Sequence, residues 1–242
     1  MKLIILLIAF PAILFALPPF FLTFTPPDGW FIADPSKVEE NVQVGFVASK
    51  RKVFSPSITL STEFIGDGVT LSTYVKAVKD LYLVNRTGHC CELGKINTSL
   101  GKTSLLKIDM QNQWGKICVV QAISLYVNYA IVQTAVCLRE DWLKMQGTFL
   151  KTFESVAIYP SFLHSVNHPH LQHKIEMVHE SWKKYISTAN GDLKTLFTAP
   201  SFQDGQWKPL AQFIEKEFAG QGLCWQFLTL KYIQESLLEH VR

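Results

Sequence analysis

Alternating apolar and polar positions dominate the chain from Gly29 to about Pro160. The segments "WFIAD", "VQVGFVA", "SITLSTEF", "KTSLLKIDM", "KICVVQAISLYV" and "YAIVQTAVCL" place apolar side chains at every second position or in short runs, the signature of β-strands with a buried face. Two stretches break that period. Leu71, Tyr74, Val75, Val78, Leu81 and Tyr82 share one face of a helix that Thr70 can cap, and Trp142, Met145, Phe149 and Phe153 form a second apolar stripe. A run of strands with one helix inserted and one at its end predicts an α+β fold, an antiparallel β-sheet sandwiched by helices.

From Ser161 the period becomes helical. Pro169 suits a first-turn position, and Leu171, Ile175, Val178, Trp182, Tyr185 and Ile186 make one stripe that Asn190-Gly191 ends. A shorter helix around Leu210, Phe213, Ile214 and Phe218 follows. After Gly220 and Gly222, the residues Leu223, Phe227, Leu230, Ile233, Leu237 and Val241 continue one stripe almost to the end. The expected organisation is an N-terminal apolar segment over residues 1–25, an α+β domain over 26–160 and a helical C-terminal extension over 161–242. Amphipathic helices need tertiary contacts to persist, so the extension must bury its apolar faces on the chain or on a partner. Phe227 and Leu230 are the candidate partner-binding residues.

The first 25 residues have a different pattern. After Lys2 the chain carries no charge from Leu3 to Phe24, long enough for a membrane-spanning helix, although Pro11, Pro18 and Pro19 interrupt it. Two readings stay open: an uncleaved signal anchor, which is favoured, and a cleaved signal peptide with an imperfect Leu14-Phe15-Ala16 site. Either would keep Lys2 in the cytoplasm and place the rest outside it, periplasmic in a bacterium and secreted if cleaved. A membrane is therefore the first expected partner.

A formal net charge of +3 on 242 residues leaves no electrostatic footprint for nucleic acid. Lys50-Arg51-Lys52, the one tight basic run, reads as a solvated loop. Gly101-Lys102-Thr103 ends like a phosphate-binding loop, but the required glycine five residues before the Gly-Lys is Ile96, and a strand rather than a helix follows. That stretch predicts a β-hairpin with Ser99 to Gly101 near its turn, and no nucleotide. A further turn is expected from Asn112 to Gly115.

Five cysteines, with Cys90 and Cys91 adjacent and no C-x-x-C spacing, do not describe a zinc site. A tight turn centred on Val127-Asn128 would set Cys118 opposite Cys137, either as a disulfide or, preferably, as two buried thiols. His164, His168, His170, His173 and His179 crowd the segment before and into the helix after Pro169. His170 and His173 could share a face in its first turn and are the weak metal candidates, with no cysteine or carboxylate cluster beside them. No G-x-S-x-G, H-E-x-x-H or supported Cys/His pairing appears, so no catalytic residue and no cofactor is expected. Asn85-Arg86-Thr87 and Asn97-Thr98-Ser99 are formal glycosylation sequons.

The order of these elements, from "PPDGWFIADP" through "VQVGFV", "SITLSTEF", the helix "LSTYVKAVKDLYLV", the central "KTSLLKIDMQNQWGKICVVQAISLYVNYAIVQTAVC" and the closing "FLKTFESV", resembles the PsbP-like and DcrB-like fold group over about residues 29–159. The resemblance is one of pattern. It implies a PsbP-like α+β domain in an exported or membrane-associated protein that binds other proteins, a non-enzymatic scaffold or chaperone-like module, with no catalytic residue to carry over. The competing expectation is a periplasmic small-ligand or metal-binding protein.

Overall fold

The computed structural model describes residues 18–34, 41–48, 54–84, 88–189 and 191–239. Residues 1–17, the basic run Lys50-Arg51-Lys52, the sequon at Asn85-Arg86-Thr87, Asn190 and Val241 lie outside them.

The described chain divides into two compact units, one comprising Thr23–Ile158 and the other Pro19–Leu22 with residues 159–239. The strands are β1 (Phe21–Thr23), β2 (Phe31–Ile32), β3 (Val42–Val47), β4 (Ser57–Phe64), β5 (Gly88–Thr98), β6 (Gly101–Asn112), β7 (Gly115–Tyr126), β8 (Tyr129–Leu138) and β9 (Ala157–Tyr159). The first unit holds a seven-stranded sheet in the order β2-β3-β4-β8-β7-β6-β5, every neighbouring pair antiparallel. β1 and β9 pair separately. With its helices and the C-terminal helical segment, the chain is α+β, as the pattern predicts.

Both faces of this sheet are covered. Helix α1 (Leu71–Val84) packs on one face, where Val75 shares one core cluster with Leu106 and Ile108 of β6, Ile117, Val119 and Ile123 of β7, and Ala130, Val132 and Val136 of β8. Its start is built as the sequence suggests: Thr70 Oγ1 accepts the Thr73 N–H at 3.2 Å. Helix α2 (Trp142–Glu154) serves the other face, buries Phe149 and Phe153, and brings its Thr152 carbonyl to the Gln133 amide of β8. Burial on both faces explains the apolar runs in β7 and β8, whose residues are nearly all buried.

Pro19–Leu22 correct the expected transmembrane anchor. Among the described residues no helix is long and apolar enough to cross a membrane. The last residues of the apolar segment are extended and buried within the fold: Phe20, Phe21, Leu22 and Phe24 are each less than 5% exposed. Pro18 and Pro19 disfavour a helix here, and the aromatic rings are consumed by packing. Phe21 meets Phe162, Trp225 and Tyr232 edge-on, and the Tyr232 hydroxyl donates to the Phe20 carbonyl at 2.7 Å.

The second unit contains α3 (Phe162–Ser165), α4 (Pro169–Thr188), α5 (Leu193–Thr198), α6 (Pro200–Phe202), a π-helical turn at Gln203–Trp207, α7 (Lys208–Glu217) and α8 (Gly222–Glu239). α4 starts at its proline, with His168 as cap: its Nδ1 accepts the Leu171 N–H at 3.2 Å. α8 buries Cys224, Trp225, Gln226, Leu228, Thr229, Ile233 and Leu237. The stripe read from sequence differs from this face: Ile233 and Leu237 belong to it, whereas Leu223 is exposed. A helix enclosed around most of its circumference shows little amphipathic contrast, so the stripe chosen from spacing alone was ambiguous.

Candidate functional site

Two features of the sheet unit combine unusual chemistry with position. One lies at the β7–β8 turn. The register Tyr126↔Tyr129 leaves Val127 and Asn128 as a two-residue loop. Val127 adopts φ 52°, and among the described residues it is the one non-glycine residue in the left-handed region. Because Asn128 is not there as well, the turn is of the kind whose first central position favours glycine. A β-branched residue at positive φ is a conformational outlier that costs on the order of 1–2 kcal/mol. The Val127 side chain recovers none of this by packing, being 74% exposed.

Around it stand further apolar groups. Phe64, at the end of β4, pairs with Tyr129 in register and in an edge-on ring contact at 5.4 Å, and the Ile65 N–H donates to the Asn128 carbonyl. Phe64 is 48% and Tyr126 38% exposed. Phe64, Tyr126, Val127 and Tyr129 thus form an exposed aromatic and aliphatic tip. Beside it, Glu63 accepts the Tyr74 hydroxyl at 2.5 Å, which neutralises the demand of a half-buried carboxylate for a donor.

Toward the opposite end of the same strands runs a cross-strand row, Asp109–Cys118–Cys137. The Lys107 ammonium donates to Asp109 Oδ2 at 2.6 Å, Arg139 Nε lies 3.9 Å from Asp109 Oδ1, and both cysteines are fully buried free thiols. The thiols face one another across the ladder; Cys118 is pushed down by its neighbour Cys137, and Cys137 is pushed up by Cys118 and by burial. Nearby, Trp114, Gly115, Lys116, Leu138, Arg139 and Glu140 line an open depression of about 510 Å³. Its lining carries two basic groups, Lys116 and Arg139, and one acidic group, Glu140.

The sequence candidates fall elsewhere. Phe227 and Leu230 lie half-buried on α8. His170 stacks on His168 at 6.3 Å and meets Phe213 at 5.2 Å, while His173 is exposed; among the described residues no group of three or more His, Cys, Asp or Glu side chains could hold a metal ion. Gly101, at φ 90°, opens β6 after the Ser99-Leu100 turn, so Gly101-Lys102-Thr103 belongs to a hairpin and faces no helix N-terminus. His179 Nε2 lies 3.2 Å from Ser236 Oγ, but that hydroxyl donates its proton to the Ile233 carbonyl at 2.8 Å. The imidazole is therefore the donor to Ser236, and the pair ties α4 to α8 instead of activating a nucleophile. Sequence reasoning missed the Val127 tip, although a valine-asparagine pair at a turn position that favours glycine was its available signal.

No protein-family profile and no curated protein matches the chain. Solved structures do resemble it. LpqN of Mycobacterium tuberculosis, involved in cell envelope biogenesis, is 15% identical over 58% of this chain and 84% of its own, with a TM-score of 0.45. The Ran-binding protein Mog1p of Saccharomyces cerevisiae is 15% identical over 56% and 89%, at 0.41. Cyanobacterial PsbP of Synechocystis is 11% identical over 57% and 86%, also at 0.41. All three fall in the PsbP/Mog1-like fold group, the group that the order of elements resembles. At these identities the likeness concerns fold alone.

Proposed function

We propose that this protein works by contact, as a non-enzymatic interaction module, and that the tip formed by Phe64, Tyr126, Val127 and Tyr129 is its contact surface. The observation that carries this reading is Val127. Its backbone is in a conformation that glycine adopts at little cost, and its exposed side chain contributes nothing to the fold's interior. A residue retained against its conformational preference makes sense where its side chain meets something else. Aromatic rings beside an aliphatic knob suit a protein surface with an apolar pocket. Phe227 and Leu230 on α8 are a second proposed contact. Export completes the reading, with the residues up to the Leu14-Phe15-Ala16 site acting as a cleaved leader and Phe20–Phe24 retained in the fold.

The test is crosslinked capture from native membranes and soluble fractions, with the full chain as bait beside Val127→Asn, Tyr126→Ser and Phe227→Ser variants. A discrete partner that is weakened by Phe227→Ser and lost with the folded tip variants is the expected result. If folded wild-type protein captures nothing, the contact reading fails. Loss with Phe227→Ser alone moves the surface to α8. The N-terminal mass of the mature protein checks the leader.

A further inference from the structure

We propose that the depression between the start of β7 and the end of β8 is a binding site for a small aryl anion, a flat apolar ring that carries a carboxylate or a phosphate. It lies at the far end of these strands from the Val127 tip, because β7 begins at Gly115 and β8 ends at Leu138. Its volume of about 510 Å³ falls within the range of about 300–1,000 Å³ typical of small-ligand sites. The β6–β7 turn helps to keep it open. The register Asn112↔Gly115 makes Gln113 and Trp114 a two-residue loop, and the Trp114 N–H donates to Asn112 Oδ1 at 2.9 Å. Gly115 follows at φ 118°, where a side chain would be strained, and nothing stands within 4 Å of the place its Cβ would take.

The lining suits both halves of such a ligand. Trp114 is half-buried, packs against the core on the α1 face and lies 5.8 Å from the Phe54 ring, which holds the indole in place. With Leu138 it gives the hollow an apolar wall on which a flat ring can lie. Lys116 and Arg139 are exposed cations. Of the acidic residues on the turn Arg139–Asp141, Glu140 alone belongs to the lining, so two positive groups stand against one negative.

Asp109 shows how Arg139 would be aimed. Lys107 already donates to Asp109 Oδ2 at 2.6 Å, whereas Oδ1 is buried and makes no hydrogen bond. Arg139 Nε stands off from that oxygen at 3.9 Å, with its side chain 55% exposed. A small closure of the Nε–H onto Oδ1 would satisfy the buried oxygen and leave both terminal amino groups of the guanidinium for an oxyanion, in the paired geometry that carboxylates and phosphates accept. Asp109 is then a positioning residue, Arg139 the anion-binding residue, and Lys116 a second positive charge beside it.

The experiment titrates the folded full chain with phenyl phosphate and with benzoate, beside inorganic phosphate and benzyl alcohol, and follows the Trp114 indole N–H in proton–nitrogen correlation spectra, assigned through Trp114→Phe. The expected result is saturable binding of an aryl anion in the micromolar-to-millimolar range, weakening as salt is raised. Arg139→Gln should weaken it about tenfold, Lys116→Gln should weaken it less, and Glu140→Gln should tighten it. All three residues are exposed, so these variants keep the fold, and the same spectra check that they do. The tighter of the two aryl anions identifies the oxyanion. No saturable shift at the Trp114 indole, binding unchanged in Arg139→Gln, or inorganic phosphate or benzyl alcohol bound as tightly as the aryl anions would each overturn the proposal.

Discussion

Val127 shows how a single residue can be informative by being unfavourable. Valine loses side-chain freedom at χ1 and clashes with its own backbone at positive φ, whereas glycine does neither. Val127→Gly should therefore raise stability by about 1 kcal/mol, read as a higher denaturant midpoint with an unchanged slope, while weakening partner capture. A lower midpoint would mean that the valine does contribute to the fold, and its use as a contact residue would lose its support. The neighbouring Phe64 and Tyr129 were legible as strand residues from alternation, but their meeting was not. That contact depends on β4 lying beside β8, a pairing between segments far apart in sequence.

At the scale of elements, α4 and α8 are joined by a bond that neither helix announces. The Trp182 indole N–H donates to the Leu237 carbonyl at 2.7 Å, with both residues buried. Around the same ring stand Phe197 and Phe202, the latter at 4.7 Å. Trp182→Phe keeps an aromatic ring but removes the donor, leaving a buried carbonyl with one partner fewer; the expected loss is about 1–3 kcal/mol, measured by chemical unfolding. Trp182→Ala adds a cavity and should cost about 3–5 kcal/mol. A negligible loss in Trp182→Phe beside the full loss in Trp182→Ala would show that the hydrogen bond contributes nothing beyond packing. Helix positions themselves were readable: Thr70, Pro169 and the Gly222 start mark three beginnings by local rules. Less readable was β5 before Gly94. Its residues "GHCCEL" lack clean alternation because an edge strand is solvated on much of its surface, and a bulge between Glu92 and Gly94 shifts its register.

For the whole molecule, pH response follows from the two tyrosines that α1 presses onto the sheet. Burial, with a lesser contribution from Cys90, pushes Tyr82 from its ordinary 10.0 up to about 12. Tyr74 moves the same way, through burial and then its bond to Glu63. In each case the unfolded chain loses its proton at lower pH than the folded one. Stability is thus fully present below pH 10 and declines as pH rises through the window toward 12. Unfolding curves at pH 9 and pH 11.5 should show this decline, and Tyr82→Phe should lessen it. An undiminished slope in that variant would assign the loss to other groups.

By itself the sequence determined the kinds of elements, because the period of apolar residues and the capping residues act within a few positions of one another. It determined a hairpin too: Gly101-Lys102-Thr103 opens β6 just after the Ser99-Leu100 turn, a local consequence of the turn residues. Only the tertiary structure decided what shared faces would mean. Phe20–Phe24 read as membrane-bound on hydropathy because apolar burial has no direction, and the fold supplied protein rather than lipid as the medium. The Cys118–Cys137 pairing sat between these limits, since a two-residue turn carries register outward along the ladder. The Phe64–Tyr129 tip and the Trp182–Leu237 bond lay beyond the reach of local rules, because each joins residues that only folding brings together.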